Sequence, residues 1–411
     1  MRAVGRYTAM GGPGAEARVA AAVEAIGEVA RKTLHSREVR ALVLIGGYGR
    51  GEGGVEVRDG VERPHNNLDV LVITRRAGRA RTEALRRRLS EALEDLSREH
   101  GIGMDVGAVP DWVLRTDVCR VMWYEMRFGH RTIWGDESFV PGLARFTADR
   151  LHPPDLRDLV VNRGTLLVIN DAMAELPELP EESRRAFRRH LVKGVIGIGD
   201  GLLWALGAYH WSYLEKRRRM AVLPGVPGPL RDLYDRAMAY RFRADPAIFP
   251  DGDLAAVQQE TREVLAESHR LFESRRLGVP LPDWRNYLAL ALPREVDSGW
   301  TRPREAARQG LALARTIRGR SDLGRAPRGF GPAASLRWAL CPPRQRLALV
   351  FPAVAWQVQD EPFASQVREV LGATGEAGLR RAFLGAFGRI GDPNFFQAAA
   401  RLAIPLDQEA G

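Results

Sequence analysis

The hydrophobic pattern changes rhythm near residue 150. Upstream, short aliphatic runs alternate with amphipathic stripes; downstream, the stripes continue with almost no strand signal. Ala41 to Ile45 is an aliphatic run closed by glycine, and Leu68 to Ile73 is a second, which is how buried strands read. Glu16 to Leu34 keeps Val19, Val23, Ile26 and Val29 at helical spacing, and Thr82 to His100 does the same with Leu85, Leu89, Leu93 and Leu96. VEVRDGVERPHN alternates weakly around Asp59-Gly60 and predicts a small hairpin or an extended loop. GIGMDVGAVP, 101–110, alternates as a third strand, and 124–136 reads as a helix end and a turn.

Pro153-Pro154 before Asp155 marks a helix start. Helical spacing then covers Leu156 to Asn170, Glu181 to Tyr209, Leu230 to Phe242 and Leu254 to Phe272. The pattern predicts a loose, glycine-rich start at 1–14, an α+β domain at 15–150 and an α-helical domain at 151–318. Residues 319–335, GRSDLGRAPRGFGPAAS, have linker composition, which leaves a helical extension at 336–411.

Composition narrows the function classes. Two distant cysteines, Cys119 and Cys341, exclude a disulfide framework and a cysteine-rich zinc site. No run approaches the length of apolar chain that spans a bilayer, and no signal-peptide pattern opens the chain. A soluble cytoplasmic protein without a membrane partner is the expectation. The formal net charge is +10, but lysine stands only at 32, 193 and 216, so 58 of 61 basic residues are arginine. That skew looks like codon bias as much as a binding surface, and RNA binding enters as a rival reading. EKRRR, 215–219, reads as a solvated helix end, and RRAFRRH, 184–190, as a solvated face with Phe187 turned inward.

Candidate chemistry gathers between the first two strands. The glycine-dense stretch Gly46 to Gly54 follows a strand directly, which lets backbone N–H groups approach an anion such as phosphate. Asn67 and Asp69 are two apart at the start of the second strand, so they share a face. Asp69 in an aliphatic strand is costly to bury without a partner. Asp105 has glycines on either side, which leaves room for a ligand. Gly49, Gly51 and Gly54 fit a dinucleotide-binding spacing, but a polar stretch follows where that fold needs a helix. A Walker A loop lacks its Gly-Lys-Ser/Thr, and a kinase loop lacks its lysine and its H-R-D and D-F-G sets.

The order helix, strand, GGYGRGE, strand with aspartate, helix, strand with aspartate resembles the nucleotidyltransferase superfamily of the DNA polymerase β type, over roughly residues 15–136. The resemblance implies a mixed-sheet domain followed by a helical domain that closes over nucleotide and acceptor. It implies Mg²⁺ (or Mn²⁺) as cofactor, a nucleoside triphosphate such as ATP as donor, and an acceptor that is a small molecule, a protein or an RNA end. Gly46 and Gly47 match the family's glycine turn, and Asp69 and Asp105 its second and third carboxylates. Tyr48, Gly49, Arg50 and Glu52 belong to the same nucleotide-binding loop, and Lys193 is a candidate phosphate contact from the helical domain. The family's first aspartate is Asn67 here, a metal ligand without charge. The site then works with one ion, recruits Glu52 or His65, or has lapsed into nucleotide binding or regulation without catalysis.

Overall fold

A computed structural model of the chain describes residues 5–297, 303–319, 322–391, 394–404 and 406. In chain order the elements are α1 (Pro13–Thr33), β1 (Val39–Ile45), α2 (Gly46–Arg50), β2 (Val55–Arg58), β3 (Val61–Pro64), β4 (Leu68–Thr74), α3 (Arg79–Ala92), α4 (Glu94–His100), β5 (Met104–Pro110), α5 (Asp111–Thr116), α6 (Val121–Phe128) and β6 (Arg131–Gly135). Helices follow: α7 (Pro153–Met173), α8 (Glu181–Ala205), α9 (Tyr213–Val222), α10 (Gly228–Phe242), α11 (Leu254–Leu277), α12 (Tyr287–Asp297), α13 (Pro303–Ile317), α14 (Pro332–Leu340), α15 (Pro343–Ala355), α16 (Phe363–Leu371), α17 (Gly375–Ile390) and α18 (Phe395–Arg401). The fold class is α+β, with a small mixed sheet and a helical C-terminal region.

Two compact units divide the chain. The first holds residues 1–156, 208–226 and 234–250; the second holds 157–207, 227–233 and 251–411. The first unit is therefore discontinuous: it regains the chain at α9 and at the C-terminal part of α10.

In the first unit the sheet order is β5-β4-β1-β6. β4 runs antiparallel to β1 and parallel to β5, and β6 completes the sheet antiparallel to β1. Leu42 and Leu44 of β1 and Leu68, Val70 and Val72 of β4 point to one face, where Val19 and Ile26 of α1 and Leu85 and Leu89 of α3 cover them. Ala41, Val43, Leu71 and Ile73 on the opposite face are buried too, which is why both strands read as unbroken aliphatic runs. The hairpin β2–β3 turns at Asp59 and Gly60, both with positive φ (52° and 74°), as a two-residue hairpin loop requires.

The structure departs from the pattern in several places. Gly46 to Arg50 is a short helix, ended by Gly51 in the left-handed region, and not an open turn. The predicted helix 82–100 is two helices that break at Leu93. Residues 131–135, read as a turn, form the edge strand β6; the half-buried Arg131-Thr132-Ile133-Trp134 run is too short for its alternation to stand out. Thr8, in the stretch expected to be loose, is buried and bridges to Gly53, while the Tyr7 and Thr8 N–H groups donate to Glu16. In the linker-like stretch, the Leu323 carbonyl accepts hydrogen bonds from Trp338 and Arg346. Residues 320–321 of that stretch and the first four residues lie outside the described residues. Among the described residues no helix is long and apolar enough to cross a membrane.

Candidate functional site

The site is built where β1 ends and β4 and β5 begin. Parallel pairing sets Asp69 opposite Asp105, and antiparallel pairing sets Asp69 opposite Ile45, the last residue before α2. Paired residues of neighbouring strands share a face, so the two carboxylates lie side by side. Asn67 joins them: its Nδ2 donates to Asp105 Oδ2 at 2.9 Å. Asp105 and Asn67 are exposed and Asp69 is half-buried.

Two glycines make this packing possible. Gly46 has φ +68°, and a Cβ there would lie 2.2 Å from Asp69 Oδ2. Gly103 plays the same part for Asn67, whose Oδ1 lies 2.3 Å from where its Cβ would be. Any side chain at either position would displace the polar group beside it. The start of α2 and the Asp69 carboxylate thus meet with nothing between them.

The remainder of the glycine loop is anchored inward. Tyr48 is buried; its hydroxyl donates to the Gly54 carbonyl at 2.7 Å and accepts from the Asn66 N–H, and burial pushes its pKa up to about 12. Arg50 is buried and donates to Glu125 Oε2 at 2.8 Å, with its guanidinium 4.3 Å from the Tyr213 ring centre. Glu52 is buried, lies 3.9 Å from Arg50, and accepts from the Ser212 hydroxyl and from the Tyr213 N–H at 2.7 Å. It holds the first turn of α9, which Ser212 itself caps by accepting from the Glu215 N–H.

Lys216 completes this anchor. Its side chain is fully buried, against the expectation of a solvated 215–219 segment, and Nζ donates to Glu125 Oε1 at 2.9 Å and to the Tyr209 hydroxyl at 3.1 Å. Tyr209 in turn donates to Glu125 at 2.7 Å. Burial alone would raise the Glu125 carboxyl, but the Lys216 and Arg50 charges outweigh it and hold the group at about 2. Arg217, Arg218 and Arg219 do pair outward, with Asp235 and Glu215. Arg188 is buried too, ion-paired with Asp251, so the 184–190 face is only partly solvated.

Comparison of the chain with family models, curated proteins and solved structures returns no match. The resemblance to nucleotidyltransferases therefore rests on the sequence motifs alone.

Of the residues singled out in the sequence, Gly46, Gly47, Asn67, Asp69 and Asp105 come together. Tyr48, Gly49, Arg50 and Glu52 support them from behind. Gly49 sits so close to the Leu44 carbonyl (2.4 Å from its would-be Cβ) that it serves the strand-to-helix passage. His65 faces Glu56 of the hairpin at 3.7 Å and the Tyr240 ring. Lys193 is an exposed residue of α8, in the second unit. Sequence reasoning missed Glu125, Lys216 and Arg241. Lys216 carried a signal, being one of three lysines in an arginine-rich chain. Arg241 carried none: it lies nearly two hundred residues from the glycine turn, yet its Nη2 is 3.2 Å from the Cβ position of Gly47.

The donor set suits a hard divalent cation, because Asp69, Asp105 and Asn67 offer only oxygen ligands at the exposed end of the strands. Among the described residues no three His, Cys, Asp or Glu side chains gather. Two carboxylates and an amide fit one ion better than two.

Proposed function

We propose that the chain is a Mg²⁺-dependent nucleotidyltransferase, moving a nucleoside monophosphate from a nucleoside triphosphate to an acceptor hydroxyl. The observation that supports this most is the in-register pair Asp69 and Asp105 beside the side-chain-free start of α2. Such a reaction asks for positioning and neutralisation of charge more than for a protein nucleophile. A bound Mg²⁺ would neutralise charge on the phosphates, with Asp69 and Asp105 to hold it. Gly46 and Gly47 leave backbone N–H groups open toward the phosphates. Asp105, the more exposed carboxylate, would help hold the ion that activates the acceptor hydroxyl. Arg50, Glu52, Glu125 and Lys216 keep α2 fixed while this happens. The acceptor is a small-molecule hydroxyl, a protein side chain or an RNA end.

A second reading keeps the nucleotide site without transfer. Its support is the hydrogen bond from the Asn67 amide to Asp105, which occupies one carboxylate oxygen where the family has a third charge. Pyrophosphate release separates the two. Incubation with each of ATP, GTP, CTP and UTP plus Mg²⁺ and candidate acceptors should release pyrophosphate with one donor, and Asp69→Ala should stop it. Nucleotide binding in wild type with no release under any donor, but release in Asn67→Asp, would favour the second reading.

A further inference from the structure

Three cations surround the ring of Tyr213 in the first unit. The Arg241 guanidinium lies 4.0 Å from the ring centre, that of Arg50 4.3 Å, and the Lys216 ammonium 5.0 Å. Two carboxylates face them: Glu125 pairs with Arg50 and Lys216, and Glu52 lies beside Arg50. Arg241 pairs with neither. Among the described residues no carboxylate forms an ion pair with it, and its Nε is buried without a hydrogen-bond partner. The guanidinium is held against Gly47 by the Tyr213 ring, and the Arg241 carbonyl lies 2.2 Å from the would-be Cβ of Gly54, so the glycine loop also fixes the backbone that carries it.

We propose that Arg241 forms a polyphosphate-binding corner with the glycine turn, one that captures the phosphates of a nucleotide without a divalent cation. The inference rests on the transferase reading but adds to it. Asn67 removes one negative charge from the carboxylate edge, which lowers the positive charge needed to bring a polyphosphate there. Arg241 supplies a fixed positive charge that a second metal ion would otherwise bring. A planar guanidinium with several free N–H groups matches phosphate oxygens in a way a point charge does not. The ligand class is a linear polyphosphate, either free or as the tail of a nucleoside triphosphate.

Calorimetric titration of inorganic tripolyphosphate and of ATP, GTP, CTP and UTP, in excess EDTA and again in Mg²⁺, tests this on the full chain. Wild type should bind tripolyphosphate in EDTA. Arg241→Gln should weaken that binding by at least about tenfold, and Arg241→Lys should recover part of it. Thermal melts of each variant separate lost binding from lost fold, and the wild-type arm decides even if a variant does not fold. Binding only with Mg²⁺, or equal binding by a folded Arg241→Gln, would overturn the Arg241 corner while leaving the transferase reading intact. No binding of any of these ligands under either condition would overturn both.

Discussion

In the second unit, Arg157 and Arg276 meet Glu273 and Glu295: Arg157 pairs with Glu295, and Arg276 reaches Glu295 at 2.7 Å and Glu273 at 2.6 Å. His269 and Tyr287 seal the cluster, the tyrosine donating to Glu273 at 3.0 Å and the Trp356 indole donating to His269 Nδ1 at 2.9 Å. Two cations balance two carboxylates. The cluster around Tyr213 in the first unit has the same ingredients, but no carboxylate among the described residues pairs with its Arg241, and it lies behind a glycine turn flanked by Asp69. A buried ion network by itself says little about function, since pairing usually does no more than offset desolvation. A network with one arginine that no carboxylate pairs, beside two glycines, says more. The contrast separates an internal brace from the support of the proposed site.

Removing one carboxylate from either cluster should have the largest effect on stability. Glu295→Ala and Glu125→Ala each leave buried cations unpaired and should each cost about 3–5 kcal/mol in denaturant unfolding. The contrast sharpens if only Glu125→Ala also weakens nucleotide binding under conditions where both variants are folded. Equal losses of binding would erase the distinction between brace and support. Asp69→Ala should come next. It should lower transfer by about 10²–10³, the usual scale for one transition-state charge contact, with little change in melting temperature, because Asp69 sits at the open end of its strand. A comparable collapse in stability would make Asp69 structural.

Acid should separate the units in a set order. His269 has a pKa of about 4 against an ordinary 6.5, mainly through burial, which the nearby Glu273 charge opposes and the Arg276 and Arg157 charges reinforce. Its contribution is full above 6.5 and is lost as pH falls through about 4, because the unfolded chain takes up the proton first. Glu125, at about 2 against 4.5, contributes fully above 4.5 and loses that contribution as pH falls through about 2. Amide hydrogen exchange should therefore show α11 opening at a higher pH than α6 and α9. The reverse order would mean that other groups control acid unfolding. The smallest expected effect is that of Asn67→Asp. It trades a hydrogen bond for a third carboxylate and should raise Mg²⁺ affinity about tenfold, near 1.4 kcal/mol, at some loss of metal-free stability.

The parts of the fold set by local pattern were legible in the sequence. The aliphatic runs of β1 and β4, the glycines that close β1 and the amphipathic stripes of α1 and α3 gave the sheet and its cover. Asp69 stood out because a carboxylate in an aliphatic strand is costly to bury, Asn67 because it shares that strand face, and Asp105 because of its glycine neighbours. The edge strand β6 was not legible, since four half-buried residues and a glycine carry little periodicity. Lys216 was misread because a run of four basic residues looks solvated until one of them is seen to turn inward onto Glu125. Arg241 and Glu125 were invisible for a different reason: their importance comes from long-range packing against the turn, which no spacing rule records.

The proposed function stands or falls on a metal–nucleotide site between Gly46 and Asp69. Its most direct test is calorimetric titration of ATP, GTP, CTP and UTP with Mg²⁺ into wild type and Asp69→Ala. Wild type should bind one nucleotide selectively, and Asp69→Ala should lose that binding. No binding by wild type, or binding that Asp69→Ala leaves unchanged, would contradict it.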